Sequence, residues 1–179
     1  MHRIHDPVYG YIDLYEYERK LIDSLLFQRL RGIHQQGTAY LTYPSSKHDR
    51  FSHSLGVMKI ATDFIRSLSK TAGAEFRSPE LNPLMMRVTR IVCLCHDLGH
   101  GPFSHVSERI FKAKLSDDDK KKMRELGVHS AHELFSHKLM EEFLPDYLSY
   151  IEEEYRKSAK EAKQEFHVDF DEFKATLVK

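Results

Sequence analysis

Residues 91–105 read IVCLCHDLGHGPFSH, an oily run that ends by placing His96, Asp97, His100 and His105 within ten residues of each other, among Gly99, Gly101 and Pro102. The apolar positions Ile91, Val92 and Leu94 belong to a helix expected over about 84–98, so the His96 and Asp97 pair falls at the buried end of that helix. Ionised or half-satisfied groups are costly there unless something coordinates them. A metal ion is one such partner. Neutral imidazole and carboxylate both suit divalent transition metals, and the two glycines and the proline supply a turn that lets adjacent residues reach one ion. A helix cap in which His96 and Asp97 merely bond each other is the plainer alternative.

A second stretch, DRFSHSLGV at residues 49–57, puts Arg50 and His53 at the start of another amphipathic helix. Over about 52–70, Leu55, Met58, Ile60, Phe64, Ile65 and Leu68 trace an apolar stripe, with Ser52 or Ser54 available as a cap. Antiparallel packing of 52–70 against 84–98 would bring His53, His96 and Asp97 together as a three-ligand set.

The other segments fill in a mainly helical bundle, an all-α class with a minor β hairpin near the N-terminus. HDPVYGYIDL is expected to form that hairpin, 16–33 a helix, TAYLTY a strand that breaks at Pro44, 71–83 a connector, and 129–144 a helix ending before Pro145. Ile151, Tyr155, Ala159, Ala162, Phe166, Phe170, Phe173 and Leu177 recur at helical steps. A long helix is expected there, its stripe packed on the domain or on a second copy, with Asp169 and Asp171 pointing away from it. At 179 residues and 41% apolar composition, one core is the default. Lys plus Arg balances Asp plus Glu at 27 each, so no uniform field favours nucleic acid or an anionic membrane. The apolar runs fall short of the roughly 20 residues a bilayer requires, and the N-terminus lacks the apolar region of a signal peptide. A soluble cytoplasmic protein is expected, with a nuclear location left open. Cys93 and Cys95 are read as buried, inert thiols rather than thiolate ligands.

HDLGHGPFSH, preceded by RFSHSLGV and earlier by FQRLRGIHQQG, resembles the HD-domain phosphohydrolase superfamily, in the branch that includes the deoxynucleoside triphosphate triphosphohydrolases. The similarity runs from about Ile4 to Glu141. It implies an HD domain over 1–145 and a charged amphipathic helix over 146–179 that starts a continuation. The resemblance makes His53, His96 and Asp97 three of four ligands to a divalent ion (Mn, Fe, Ni, Zn or Mg). It assigns His100 and His105 to the phosphates, and His132, with His129 as the fallback register, to orienting the substrate. Arg50 would lie against the nucleotide and Gln35 beside the sugar, although Gln36 stands where the triphosphohydrolases carry leucine. Asp23, Gln28, Arg29 and Arg31 match a segment that contributes to a nucleotide-binding allosteric site, whereas His2 and Arg3 depart from its pattern, and a homo-oligomer is implied. The fourth ligand, a later aspartate, is usually followed by a DYxxRD-like motif that does not occur before Lys179. Asp169 and Asp171 do not match in context. Either the chain is a fragment, or it completes its site differently.

The chemistry is consistent with the residue types. Phosphoester hydrolysis is slow because anionic oxygens repel hydroxide. A divalent ion polarises the phosphorus and acidifies a bound water, while imidazoles neutralise developing charge or deliver a proton near pH 7. Two classes follow: a metal-dependent nucleotide phosphohydrolase, with (deoxy)nucleoside triphosphates the first substrate class, or a nucleotide- and metal-binding regulatory module with little or no turnover.

Overall fold

The computed structural model describes residues 2–71 and 81–161. Strands β1 (His2–Asp6) and β2 (Gly10–Leu14) pair antiparallel with Ile4 opposite Ile12, the hairpin expected from the sequence. Asp6 closes its turn by accepting from the Val8 and Tyr9 amides at 2.8 and 2.9 Å. The remaining regular structure is helical: α1 (Glu16–Asp23), α2 (Leu25–Gln28), α3 (Arg50–Thr71), α4 (Leu81–Cys95), α5 (His105–Ala113), α6 (Asp117–Leu126) and α7 (Ala131–Glu161). Among the described residues no helix is long and apolar enough to cross a membrane.

Several expected boundaries are corrected by local hydrogen bonding. The helix expected over 16–33 is split at Ser24, whose hydroxyl donates to the Leu21 carbonyl (2.6 Å) and accepts from the Phe27 amide (3.3 Å). One residue thereby ends α1 and caps α2, and a tighter turn over Arg29–Gly32 follows. TAYLTY is not a strand: Ala39–Leu41 forms a 3-10 turn with bonds three residues back, and Leu41 and Tyr43 project outward. Helix α3 starts at Arg50, and neither Ser52 nor Ser54 caps it. Asp49 accepts from the Ser52 amide through Oδ1 (2.8 Å), while Ser54 is buried.

Helices α5 and α6, which the sequence did not announce, follow the glycine-rich turns. Helix α6 opens with a reciprocal cap in which Ser116 accepts from the Asp119 amide (3.1 Å) and Asp119 from the Ser116 amide (3.3 Å), and it closes at Gly127. The expected stop before Pro145 does not occur, because α7 runs on through it to Glu161. Pro145 is exposed, so the carbonyl deprived of its partner can bond water instead. Phe166, Phe170, Phe173, Asp169 and Asp171 lie outside the described residues.

Helices α3 and α4 pack antiparallel along their length, as expected, with Arg50 beside Asp97 at one end and Thr62 beside Arg90 further along. Phe27, Leu30, Phe51, Leu55, Met58, Ile91 and Leu94 form their shared core. Within it Glu18 is fully buried and takes two bonds from Arg90, at 2.6 and 2.7 Å. Arg90 also reaches Thr62 Oγ1 and the Asp13 carbonyl, tying β2, α1, α3 and α4 together. Cys95 is buried and burial pushes its thiol up to about 12; burial also raises that of half-buried Cys93, in keeping with inert thiols.

Candidate active site

Helix α4 ends at Cys95, three residues before its expected limit, so His96 and Asp97 sit on the turn that leaves it. Asp97 is buried, and four cationic or imidazole groups converge on its carboxylate. Arg50 Nη1 is 2.5 Å from Oδ2, His53 Nε2 and His96 Nε2 are each 3.4 Å from Oδ2, and His100 Nε2 is 3.4 Å from Oδ1. Burial works against the charge, but His100, His96 and Arg50 outweigh it and hold the carboxyl well below the usual carboxylate range. His53 shifts the opposite way: burial lowers its ring, and Asp97 offsets this only in part.

The ligand atoms of His53, His96 and Asp97 all lie within 4.8 Å of one another. Two donors bonded to one ion at about 2.1 Å and set at a tetrahedral angle are about 3.4 Å apart, so the His–Asp spacing fits a shared cation. The donor chemistry fits as well. His96 Nδ1 is 2.7 Å from the Cys93 carbonyl, which can only accept, so the proton sits on Nδ1 and the Nε2 lone pair faces the carboxylate. Neither cysteine belongs to the group.

A second group, His100, His105 and His132, adjoins the first through Asp97 and Arg50. The rings of His100 and His132 stack with centroids 3.9 Å apart, and His105 stands edge-on to both. His100 is buried, its ring lowered by burial, and its Nε2 has no aligned hydrogen-bond partner despite the nearby carboxylate. Glu108 orders the other two, with Oε1 3.1 Å from His132 Nδ1 and Oε2 3.1 Å from His105 Nδ1. Arg50 joins the groups by bonding Asp97 and Ser104 Oγ and lying 3.3 Å from His105 Nε2. Phe103 and Ser104 hold the turn before α5 at φ 62° and 53°, a strained geometry for non-glycine residues that aims His105 back at the cluster.

Against this geometry stand the comparisons with known proteins. The HD-domain family profile matches residues 50–171, more than half of the chain. The chain belongs to the HD-domain family. Its similarity to deoxynucleoside triphosphate triphosphohydrolases places it in the branch that resembles them. It is 36% identical over 172 residues to deoxynucleoside triphosphate triphosphohydrolase SAMHD1 of Xenopus laevis, covering 90% of this chain and 26% of that protein. It is 42% identical over 110 residues to the Homo sapiens protein of that name, covering 60% and 17%. To the homolog of Dictyostelium discoideum it is 40% identical over 107 residues, covering 59% and 20%. The chain thus spans about a quarter or less of the length of these relatives.

In this HD domain the structure brings His132 into the cluster and leaves His129 exposed, which favours the first of the two registers. Gln35 lies beside the cluster, its carbonyl accepting from Ser104 Oγ (3.2 Å) and its own Oε1 buried without a partner. Asp23, Gln28 and Arg31 stay apart from the site: Asp23 pairs with Arg19, and Arg31 bonds Gln28 and stacks on Phe51 at 3.5 Å. Arg29 behaves differently from its neighbours. It turns inward, donating to the carbonyls of Leu98 and His100, and so pins the turn that carries Asp97. Ser136 on α7 does the same from the other side, accepting from the Gly99 amide (2.8 Å) and donating to the His96 carbonyl (2.7 Å). Glu108, Ser104 and Ser136 were not singled out as site residues in the sequence, and Arg29 was matched to the allosteric segment rather than to this turn. Only Glu108 left a trace, three positions beyond His105 on a helical face.

Proposed function

We propose that this HD domain is a metal-dependent phosphohydrolase acting on nucleotides, with (deoxy)nucleoside triphosphates as its first substrate class. The observation that carries the reading is the junction of two unlike groups on one Asp97–Arg50 pair, a donor set suited to a cation beside three imidazoles suited to phosphate. His53, His96 and Asp97 would hold the ion, which when bound supplies Lewis-acid polarisation and a water of lowered pKa. Arg50 keeps Asp97 ionised and in place. Glu108 fixes Nδ1 of His105 and His132, so that when a ring carries its second proton its Nε2–H would donate to a phosphate oxygen or hand that proton to the leaving group. Buried His100 stacks beneath His132 and sets the depth of the phosphate pocket. The names of the relatives support the triphosphate class. A nucleotide panel incubated with Mn²⁺ or Mg²⁺, with phosphate and triphosphate release measured separately, tests it.

A second reading, a nucleotide- and metal-binding regulatory module with little turnover, is compatible with the same donor group. Among the described residues this ligand group has three members, and water or a bound ligand would complete the coordination. Saturable metal and nucleotide binding without product release would select this reading. Absence of both binding and release would overturn the two together.

A further inference from the structure

Helices α5 and α6 and the segment that follows them flank an open cavity of about 460 Å³ that shares no residue with the candidate active site. Leu115, Met123 and Val128 form its apolar floor, and Lys112, Lys120, Arg124 and His129 stand around it, with no carboxylate in the lining. Several backbone groups of the wall are already used. The Gly127 amide bonds the Arg124 carbonyl and the Val128 amide that of Met123, while the His129 amide goes to Glu133 and its carbonyl accepts from Lys112. Lys120 has Asp117 at 3.2 Å, a fully exposed partner, and Arg124 has no side-chain partner among the described residues.

Such a cavity offers a guest apolar contact and positive charge, and little else. The lining has no carboxylate, amide or hydroxyl side chain to pair the donors of a nucleoside's base and sugar. A guest with one anionic head and an apolar body satisfies both parts of the lining. We propose that this cavity is a binding site for a small amphipathic anion, a carboxylate or phosphate carried on an apolar tail. Its wall at Gly127–His129 leads into Ala131, whose amide bonds Glu108 at 2.8 Å, so an occupant also braces the segment that carries His132.

The full chain labelled with methyl-¹³C methionine provides the test, with the Met123 signal identified by its loss in Met123→Leu. Decanoate and decyl phosphate are titrated as the two sources of the anionic head, with decanol and dAMP as contrasts. The expected result is a saturable Met123 shift with one or both anions. It should weaken by about fivefold or more in the Lys120→Gln/Arg124→Gln double variant, the effect of losing two exposed charge contacts. Both positions are exposed, and an otherwise unchanged spectrum shows that the variant is folded. The proposal is overturned if no Met123 shift saturates, if only other methionines respond, if decanol binds as tightly as decanoate, if the double variant binds equally well, or if dAMP is preferred.

Discussion

Asp97 concentrates the chemistry of this site in one carboxylate, and its neighbours divide into two kinds. Replacing Asp97 by Asn or His53 by Ala removes a donor, so metal content by elemental analysis and nucleotide hydrolysis should fall together. His105→Ala, His132→Ala and Glu108→Gln leave the donors intact, so hydrolysis should slow while metal stays bound. Full activity in His53→Ala would place the site elsewhere. Arg50 is buried against Asp97 with its Nε lacking any hydrogen-bond partner, so Arg50→Met strands a buried carboxylate and should cost about 3–5 kcal/mol in urea unfolding. Burial keeps the rings of His53 and His100 below the ordinary 6.5. The unfolded chain therefore takes up protons that the folded rings refuse, so their contribution to stability is complete above about pH 6.5 and declines below it. Metal-free protein should unfold at lower urea near pH 5.5 than near pH 7.5, and an unchanged midpoint would contradict the burial of these rings.

At the scale of elements, the site exists because α3, α4 and α7 meet at one turn. A Cβ on Gly99 would come within 2.1 Å of the His132 carbonyl and 2.3 Å of the Ser136 amide, both backbone atoms of α7 and neither able to swing away. Gly99→Ala should therefore push α7 off the turn, lowering thermal stability and slowing hydrolysis at once, because His132 moves with α7. Helix α6 is a gentler case. Loss of its cap in Ser116→Ala should cost about 1 kcal/mol and leave hydrolysis unchanged, since the cap touches no site residue. The antiparallel α3–α4 pair was legible from its two apolar stripes, and the hairpin from Pro7 and Gly10. The break at Ser24 and the passage of α7 through Pro145 were not, because each turns on a hydrogen bond made or forgone in context rather than on periodicity.

For the molecule as a whole, the resemblance to the triphosphohydrolase branch predicts a homo-oligomer that responds to nucleotide through Asp23, Gln28 and Arg31. Light scattering with and without a deoxynucleoside triphosphate should show a larger particle in its presence, and Arg31→Ala should abolish the difference; an unchanged monomer would remove that expectation. The sequence alone determined the helical class, the pairing of RFSH with HDLGHGPFSH and the grouping of His53, His96 and Asp97 as candidate donors, because apolar periodicity and motif order are local properties of the chain. The tertiary structure decided which of His129 and His132 joins the cluster, that Arg29 turns inward to the Leu98 and His100 carbonyls, and that Glu108, Ser104 and Ser136 hold the imidazoles and the turn. Those contacts join residues up to some 70 positions apart, and their partners are fixed by how α3, α4, α5 and α7 pack, which no local pattern in the chain encodes.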